Sequence, residues 1–235
     1  MRIAYFGTPD FAVPTLTALL ESRHEVVLVV SKPDRPVGRK KIMTSPPVIE
    51  MARRRGLATA QPKGFKTGTF NDTLVESGAE IAVVVAYGKL IPASLLELPK
   101  RGFVNLHPSL LPRHRGPSPI QWALVCGDRS TGVTTMQLDE GMDTGPVLLQ
   151  ERLPIEPSDT AETLAPRLAE LGASTMVRTL DGIEDGTVEG RPQPDDGANV
   201  TPMLRRNFAK VDWTMPARQL VNRLRGFTPW PGLYT

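Results

Sequence analysis

Cysteine is nearly absent: Cys126 is the only one in 235 residues. A single thiol can form neither an internal disulfide nor a cysteine-rich zinc site. Its place in an apolar stretch after Trp122 predicts a core thiol rather than a nucleophile. Long apolar runs are also missing, and none reaches the roughly 18 residues of a membrane span. The start, Met1-Arg2-Ile3-Ala4-Tyr5-Phe6-Gly7, is too short in its apolar part for a signal peptide. A cytoplasmic protein with no membrane partner is therefore expected. Gly7 has no Gly-x-Gly-x-x-Gly around it and is followed closely by Pro9, so a nicotinamide cofactor is not expected. There are no internal repeats, and the 23 prolines are spread along the chain, implying fixed loops rather than a disordered tract.

What is present is a soluble composition, 40% hydrophobic and 23% charged, with an uneven charge distribution beneath a net +3. Lys32, Arg35, Arg39, Lys40 and Lys41 crowd one decapeptide against Asp34 alone, whereas residues 151–196 are strongly acidic. A local basic loop favours one specific anionic partner over a nonspecific nucleic-acid coat. Pro33, Pro36 and Gly38 exclude a regular helix or a central strand there. Most charge runs are solvated loops. This one follows a strand end, where ligands bind in α/β sheets, which makes phosphate a candidate ligand.

The order of elements is that of an α/β protein. Residues 2–6 and 25–30 read as buried strands around a helix over 11–22, with Thr8 or Asp10 as its cap. Helices are expected from near Ser45-Pro46-Pro47 to Arg55 and from Thr69 to Ser77, and a short strand over 57–61. Ile81-Ala82-Val83-Val84-Val85-Ala86 is the clearest central strand and ends in the turn Tyr87-Gly88-Lys89. Phe103 to Leu106 is the next strand, followed by a helix over 117–125 and strands over 131–138 and 146–153, the last a candidate for reversed direction. Leu164, Leu168, Leu171, Met176 and Leu180 space a long helix capped by Ser158-Asp159-Thr160. Residues 184–202 read as a polar linker or surface excursion, and Met215 to Phe227 as a last helix. The sum is a doubly wound, mostly parallel sheet with helices on both faces.

Asn105 and His107 stand two residues apart in a strand, hence on one face, where the strand breaks into a proline-punctuated loop. Asp143 lies in the glycine-bounded turn Asp139-Glu140-Gly141-Met142-Asp143-Thr144-Gly145, which lacks the ligand spacing of a calcium loop. Amide, imidazole and carboxylate match the needs of acyl transfer to an amine: oxyanion stabilisation, proton movement and orientation of the proton carrier. No serine or cysteine pairs convincingly with His107, so direct transfer is favoured over a covalent intermediate.

Asn105-Leu106-His107-Pro108-Ser109-Leu110-Leu111-Pro112, followed by Gly141-Met142-Asp143-Thr144-Gly145, resembles the signature of the 10-formyltetrahydrofolate-dependent formyltransferases. Gly7-Thr8-Pro9-Asp10-Phe11-Ala12, Lys32-Pro33-Asp34-Arg35-Pro36 and Phe227-Thr228-Pro229-Trp230-Pro231 are similar to the members that formylate methionyl-tRNA. The resemblance implies a Rossmann-like formyltransferase fold, with 10-formyltetrahydrofolate as formyl donor and initiator methionyl-tRNA as acceptor. No metal and no protein partner are implied. By position, Asn105 would bind the formyl oxygen, His107 would move the amine proton, and Asp143 would hold His107 in orientation and help a water carry the proton away. Ser109, Leu110, Leu111 and Pro112 would line the folate site, with Tyr87, Gly88, Lys89, Leu90 and the backbone near Glu140 facing the pterin. Arg35, Arg39, Lys40 and Lys41 would contact tRNA, Arg39 foremost at the acceptor stem. Arg205, Arg206, Lys210 and the arginines from Arg218 to Arg225 are further phosphate candidates. The expected division is a catalytic domain over 1–204 and a connecting segment over 205–235, leading to a small C-terminal barrel beyond this chain. Two other readings share the trio: an N-formyltransferase of nucleotide-linked amino sugars, and a noncatalytic RNA-binding relic of the fold.

Overall fold

The computed structural model describes residues 1–38, 40–65 and 69–235; the candidate Arg39 lies outside them. Nine strands are named in chain order: β1 Arg2–Gly7, β2 Glu25–Val30, β3 Arg35–Val37, β4 Ile42–Thr44, β5 Thr59–Ala60, β6 Ile81–Val85, β7 Phe103–His107, β8 Ser130–Gln137 and β9 Val147–Pro154. The helices are α1 Val13–Leu20, α2 Pro47–Arg54, α3 Thr69–Glu76, α4 Ala93–Leu96, α5 Pro119–Val125, α6 Ala161–Asp185 and α7 Ala217–Phe227. Seven strands form one sheet in the order β5-β2-β1-β6-β7-β8-β9. The five from β5 to β7 run parallel, and β8 and β9 are antiparallel to their neighbours. The doubly wound expectation holds, with the central apolar strands buried on both faces.

Alternation along the strands sorts side chains to two cores. Tyr5, Val83, Val85, Val104 and Leu106 face one way and pack beneath α1, α2, α5 and α6. Phe6, Val84 and Phe103 face the other way, toward Phe70 and Leu74 of α3 and Leu95 of α4. α6 begins at the expected cap: Thr160 and Thr163 exchange side-chain and backbone bonds at 2.9 and 3.3 Å. It buries Leu164, Leu168, Met176 and Leu180. Each such side chain contributes about 1.5–3 kcal/mol when fully buried. At Gly172 the helix comes so close that a Cβ would stand 2.5 Å from Leu106 Cδ2. The back of β7 is thus braced against a long helix while its other face carries the candidate site.

Two expectations need correction and a third is resolved between its alternatives. No side chain caps α1; a 3-10 turn over Asp10–Ala12 leads into it, and the Thr8 hydroxyl donates instead to Tyr87 O at 3.0 Å. Cys126 is exposed, because the apolar stretch that carries it ends at the C-terminus of α5, where the side chain turns outward. Partial burial and the nearby Asp128 carboxylate push its thiol up, away from the reactive thiolate. Of the two readings of residues 184–202, the surface excursion is the one observed beyond the end of α6 at Asp185, and it is pinned to the body of the protein. Arg191 pairs with Val147 through two 2.8 Å backbone bonds, and Thr201 N donates to Arg115 O at 2.7 Å, Arg115 N in turn donating to Asn199 O.

The basic loop is a separate two-stranded hairpin of β3 and β4. It follows β2 at the C-terminal edge of the parallel strands, the edge at which Tyr87 and His107 also emerge.

Candidate active site

β7 ends at His107, and Asn105 precedes it on the same face, half-buried beside Val84 of β6 and Met136 of β8. The Asn105 amide makes no hydrogen bond among the described residues. A half-buried amide with both donors uncommitted is suited to a ligand oxygen.

His107 is buried, and its Nε2 lies 2.8 Å from His114 O. A carbonyl only accepts, so Nε2 carries the hydrogen. In the neutral ring the basic lone pair is then on Nδ1, and Nδ1 faces Asp143 Oδ2 at 3.6 Å. That separation is longer than a hydrogen bond. The ring is therefore oriented by a backbone carbonyl on one side, with the carboxylate available to any positive charge formed on the other. His114 itself is fixed: its N donates to Asn199 Oδ1 at 2.7 Å and its Nε2 pairs with Asp128 Oδ2 at 2.7 Å. Its φ of +58° is unfavourable for a residue with a Cβ, and these bonds hold it there.

Asp143 reaches this point by an indirect path. β8 runs antiparallel to β7, so its end at Gln137 pairs with Val104, away from the His107 end. The 138–146 turn folds back across the sheet face, with Leu138 packed between two apolar clusters. Gly116 N donates to Asp143 Oδ2 at 2.7 Å, and Gln193 Nε2 donates to Asp143 O at 2.9 Å and Gly145 O at 2.8 Å. Gly145 is required by crowding, since a Cβ would lie 1.8 Å from Gln137 O.

The residues suggested for folate differ in what they expose. Tyr87 is 1% exposed and packs edge-on against Phe6 in the core. Burial pushes its phenol up to about 12, so only its backbone is left to face a ligand. Gly88, at φ +74°, and Leu90, 83% exposed, present surface beside it. Ser109 is buried with its hydroxyl donated to Arg113 O at 2.6 Å, and Leu111 packs on Met136 and Val147. Leu110 lies over Gly132 of β8. Pro112 is partly buried and Glu140 exposed.

Arg35, Lys40 and Lys41 are exposed on the hairpin and enter no ion pair among the described residues. Behind them Lys32 has its ammonium pushed down by burial first, then by the charges of Arg35 and Lys89. Arg223 and Arg225, by contrast, donate to the carbonyls of Phe208, Asp159 and Glu156.

Sequence reasoning misses His114, Gln193 and Asn199. Their partners lie far along the chain, 85 residues from Asn199 to His114 and 50 from Gln193 to Asp143. No local pattern marks such pairs.

Comparison with known proteins gives a consistent result. The formyl transferase family matches residues 1–180, and the formyl transferase C-terminal domain family matches residues 203–235. A methionyl-tRNA formyltransferase of Acidobacterium capsulatum is 48% identical over the whole chain, which spans 76% of that protein. One from Myxococcus xanthus is 46% identical, with 100% of this chain and 75% of the relative covered. Among solved structures, a phosphoribosylglycinamide formyltransferase from Bacillus halodurans superposes with a TM-score of 0.66 at 26% identity, over 78% of this chain and 95% of that one. A 4-N formyltransferase from Francisella tularensis shares the fold at 16% identity, with a TM-score of 0.76 and coverage of 99% and 91%.

Proposed function

The chain belongs to the formyl transferase family, among the methionyl-tRNA formyltransferases, and from that premise we propose that Asn105, His107 and Asp143 carry its reaction. The reaction is transfer of the formyl group of 10-formyltetrahydrofolate to the α-amino group of methionyl-tRNA. The folate supplies the activated formyl carbon, and the protein supplies charge stabilisation and proton movement.

The observation that carries the assignment of roles is His107 Nδ1, which makes no hydrogen bond and has the Asp143 carboxylate 3.6 Å away, on a strand face that also carries the uncommitted Asn105 amide. As the amine attacks, the carbonyl oxygen gains negative charge and the nitrogen must lose a proton. Asn105 Nδ2 donates to that oxygen, a contact that strengthens as charge develops. His107 accepts the amine proton at Nδ1, because its Nε2–H is committed to His114 O. The imidazolium so formed has Asp143 beside it, and Asp143 keeps its own carboxylate anchored on Gly116 N–H. Orientation of the ring thus falls to the His114 carbonyl, and Asp143 acts on the charge. The leaving nitrogen of the folate takes its proton from the same site.

The hairpin cations Arg35, Lys40 and Lys41, together with Arg39, serve the phosphates of the acceptor end. We assign initiator methionyl-tRNA as the tRNA partner and the cytoplasm as the compartment. The test offers the protein 10-formyltetrahydrofolate with initiator methionyl-tRNA, elongator methionyl-tRNA and a nucleotide-linked amino sugar. Transfer to the initiator in preference to the other two is expected. Equal use of both tRNAs would remove the initiator assignment, and preference for the sugar would overturn the acceptor altogether.

A further inference from the structure

Gln193 meets the Asp143 turn with every hydrogen-bonding position of its side chain in use. Its Oε1 accepts from Arg115 Nε at 3.0 Å and Nη2 at 2.8 Å. Its Nε2 donates to Asp143 O at 2.9 Å and to Gly145 O at 2.8 Å. One amide therefore joins two loops that meet at the reacting groups. The Arg115 loop supplies His114 O, which fixes His107, and Gly116 N, which fixes the Asp143 carboxylate. The other loop supplies Asp143 itself.

The joined turn needs holding. Asp143 sits at φ +56°, a conformation that costs a residue with a Cβ. Both carbonyls that Gln193 binds belong to this turn. The excursion that carries Gln193 is itself secured on either side, by the Arg191–Val147 pair and by the bonds of Asn199 and Thr201 to the 114–115 backbone. Few side chains could replace this one: bridging a guanidinium to two carbonyls requires an acceptor and two donors on one planar group.

We propose that Gln193 is a positioning residue for the transfer, one that clamps the Asp143 turn to the Arg115 loop and so sets the distance from Asp143 to His107 Nδ1. The inference rests on the role given to Asp143 above. Gln193 touches no substrate, and its effect passes through Asp143.

Two substitutions separate its halves. Gln193→Met keeps the length and removes all four bonds. Gln193→Glu keeps the acceptor for Arg115, and with it the anchoring of the excursion, but turns lone pairs toward the Asp143 and Gly145 carbonyls. Both variants are expected to lose kcat by about 10- to 100-fold, the scale of a misplacement near 1 Å, with Gln193→Glu at least as impaired as Gln193→Met. The deciding measurement is a double-mutant cycle with Asp143→Asn. Because Gln193 acts through Asp143, either Gln193 substitution should cost less than about threefold more in the Asp143→Asn background. A purely structural role would multiply the two losses. Thermal unfolding identifies any variant that fails to fold, and Gln193→Glu, with its Arg115 pair intact, then carries the cycle alone. Multiplicative losses, or normal kcat in Gln193→Glu, would overturn the inference while leaving Asp143 in place. Normal kcat in Asp143→Asn alone would overturn the underlying site assignment instead.

Discussion

The loops around His107 and the β3–β4 hairpin lie on the same edge of one sheet and are built on opposite plans. Around His107 the supporting polar groups are paired inside the protein: His114 with Asp128 and Asn199, Asp143 with Gly116, Gln193 with three partners. The Asn105 amide and His107 Nδ1 make no hydrogen bond among the described residues, and they are the groups proposed to meet the substrate. On the hairpin, Arg35, Lys40 and Lys41 are exposed and have no ionic partner among the described residues. Bond making needs donors held within fractions of an ångström before the substrate arrives. Phosphate attraction reaches across a Debye length and tolerates mobile cations. On the proposed function the two regions divide the work accordingly, precision in one and long-range charge in the other.

The largest effect should come from the precise region. On the role proposed for it, Asn105→Ala removes an oxyanion donor, which typically costs on the order of 100- to 1,000-fold in kcat. Affinity for tRNA and its salt dependence should be unchanged, since the hairpin cations stand apart from Asn105. Near-normal single-turnover rates in Asn105→Ala at saturating substrates would dissolve the contrast by showing that the precise region does not need its free amide.

The hairpin should respond in the reverse sense. Neutralising Arg35, Lys40 and Lys41 together should lower the slope of log affinity against log salt by up to about three units, roughly one for each phosphate no longer neutralised. Folate affinity and the rate of the chemical step should stay as they were. A slope that does not change would return these cations to the role of a solvated surface.

How far the sequence reveals this division depends on the range of the interaction. Asn105 and His107 can be placed on one face because a strand repeats every two residues, and the register of β7 agrees. The hairpin is legible as charge without fold: prolines exclude a central strand, and the short antiparallel pair stands apart from the sheet. A motif points to Asp143, but its approach across the sheet face follows from the antiparallel turn of β8, which no periodicity announces. Gln193 and Asn199 lie in a stretch whose polar, glycine- and proline-rich composition reads as a linker or surface excursion. Their hydrogen-bond partners stand 50 and 85 residues away. Arg223 and Arg225 show the same limit from the other side: their charge is plain in the sequence, but the carbonyls of Phe208 and Asp159 that hold their guanidinium groups are not.

Asp34 is where the two plans meet, and it gives the smallest and sharpest test. It is the one carboxylate among the loop's cations, and Gln61 and Ser45 bond its two oxygens at 2.7 and 3.0 Å. Those bonds, with the charge of Arg53 adding less, hold its carboxyl below the ordinary aspartate range. A depressed folded-state pKa means that the anchorage is complete above that range and is lost as pH falls through it and below. At neutral pH two effects of substitution then compete. If charge alone governs the hairpin, both Asp34→Asn and Asp34→Ala should tighten tRNA binding, because each removes a negative charge from the loop. If the hairpin must also be held at its base, the two variants should part. In Asp34→Asn the new amide oxygen can still accept from Gln61, so this variant should bind tRNA a few-fold more tightly. Asp34→Ala loses both bonds and should bind a few-fold more weakly, despite its equal charge. Titrations of the two variants at several salt concentrations decide the matter. Equal affinities would leave the hairpin a purely electrostatic device, whereas opposite shifts would show that its cations, too, depend on a small hydrogen-bonded base of the kind that governs the site around His107.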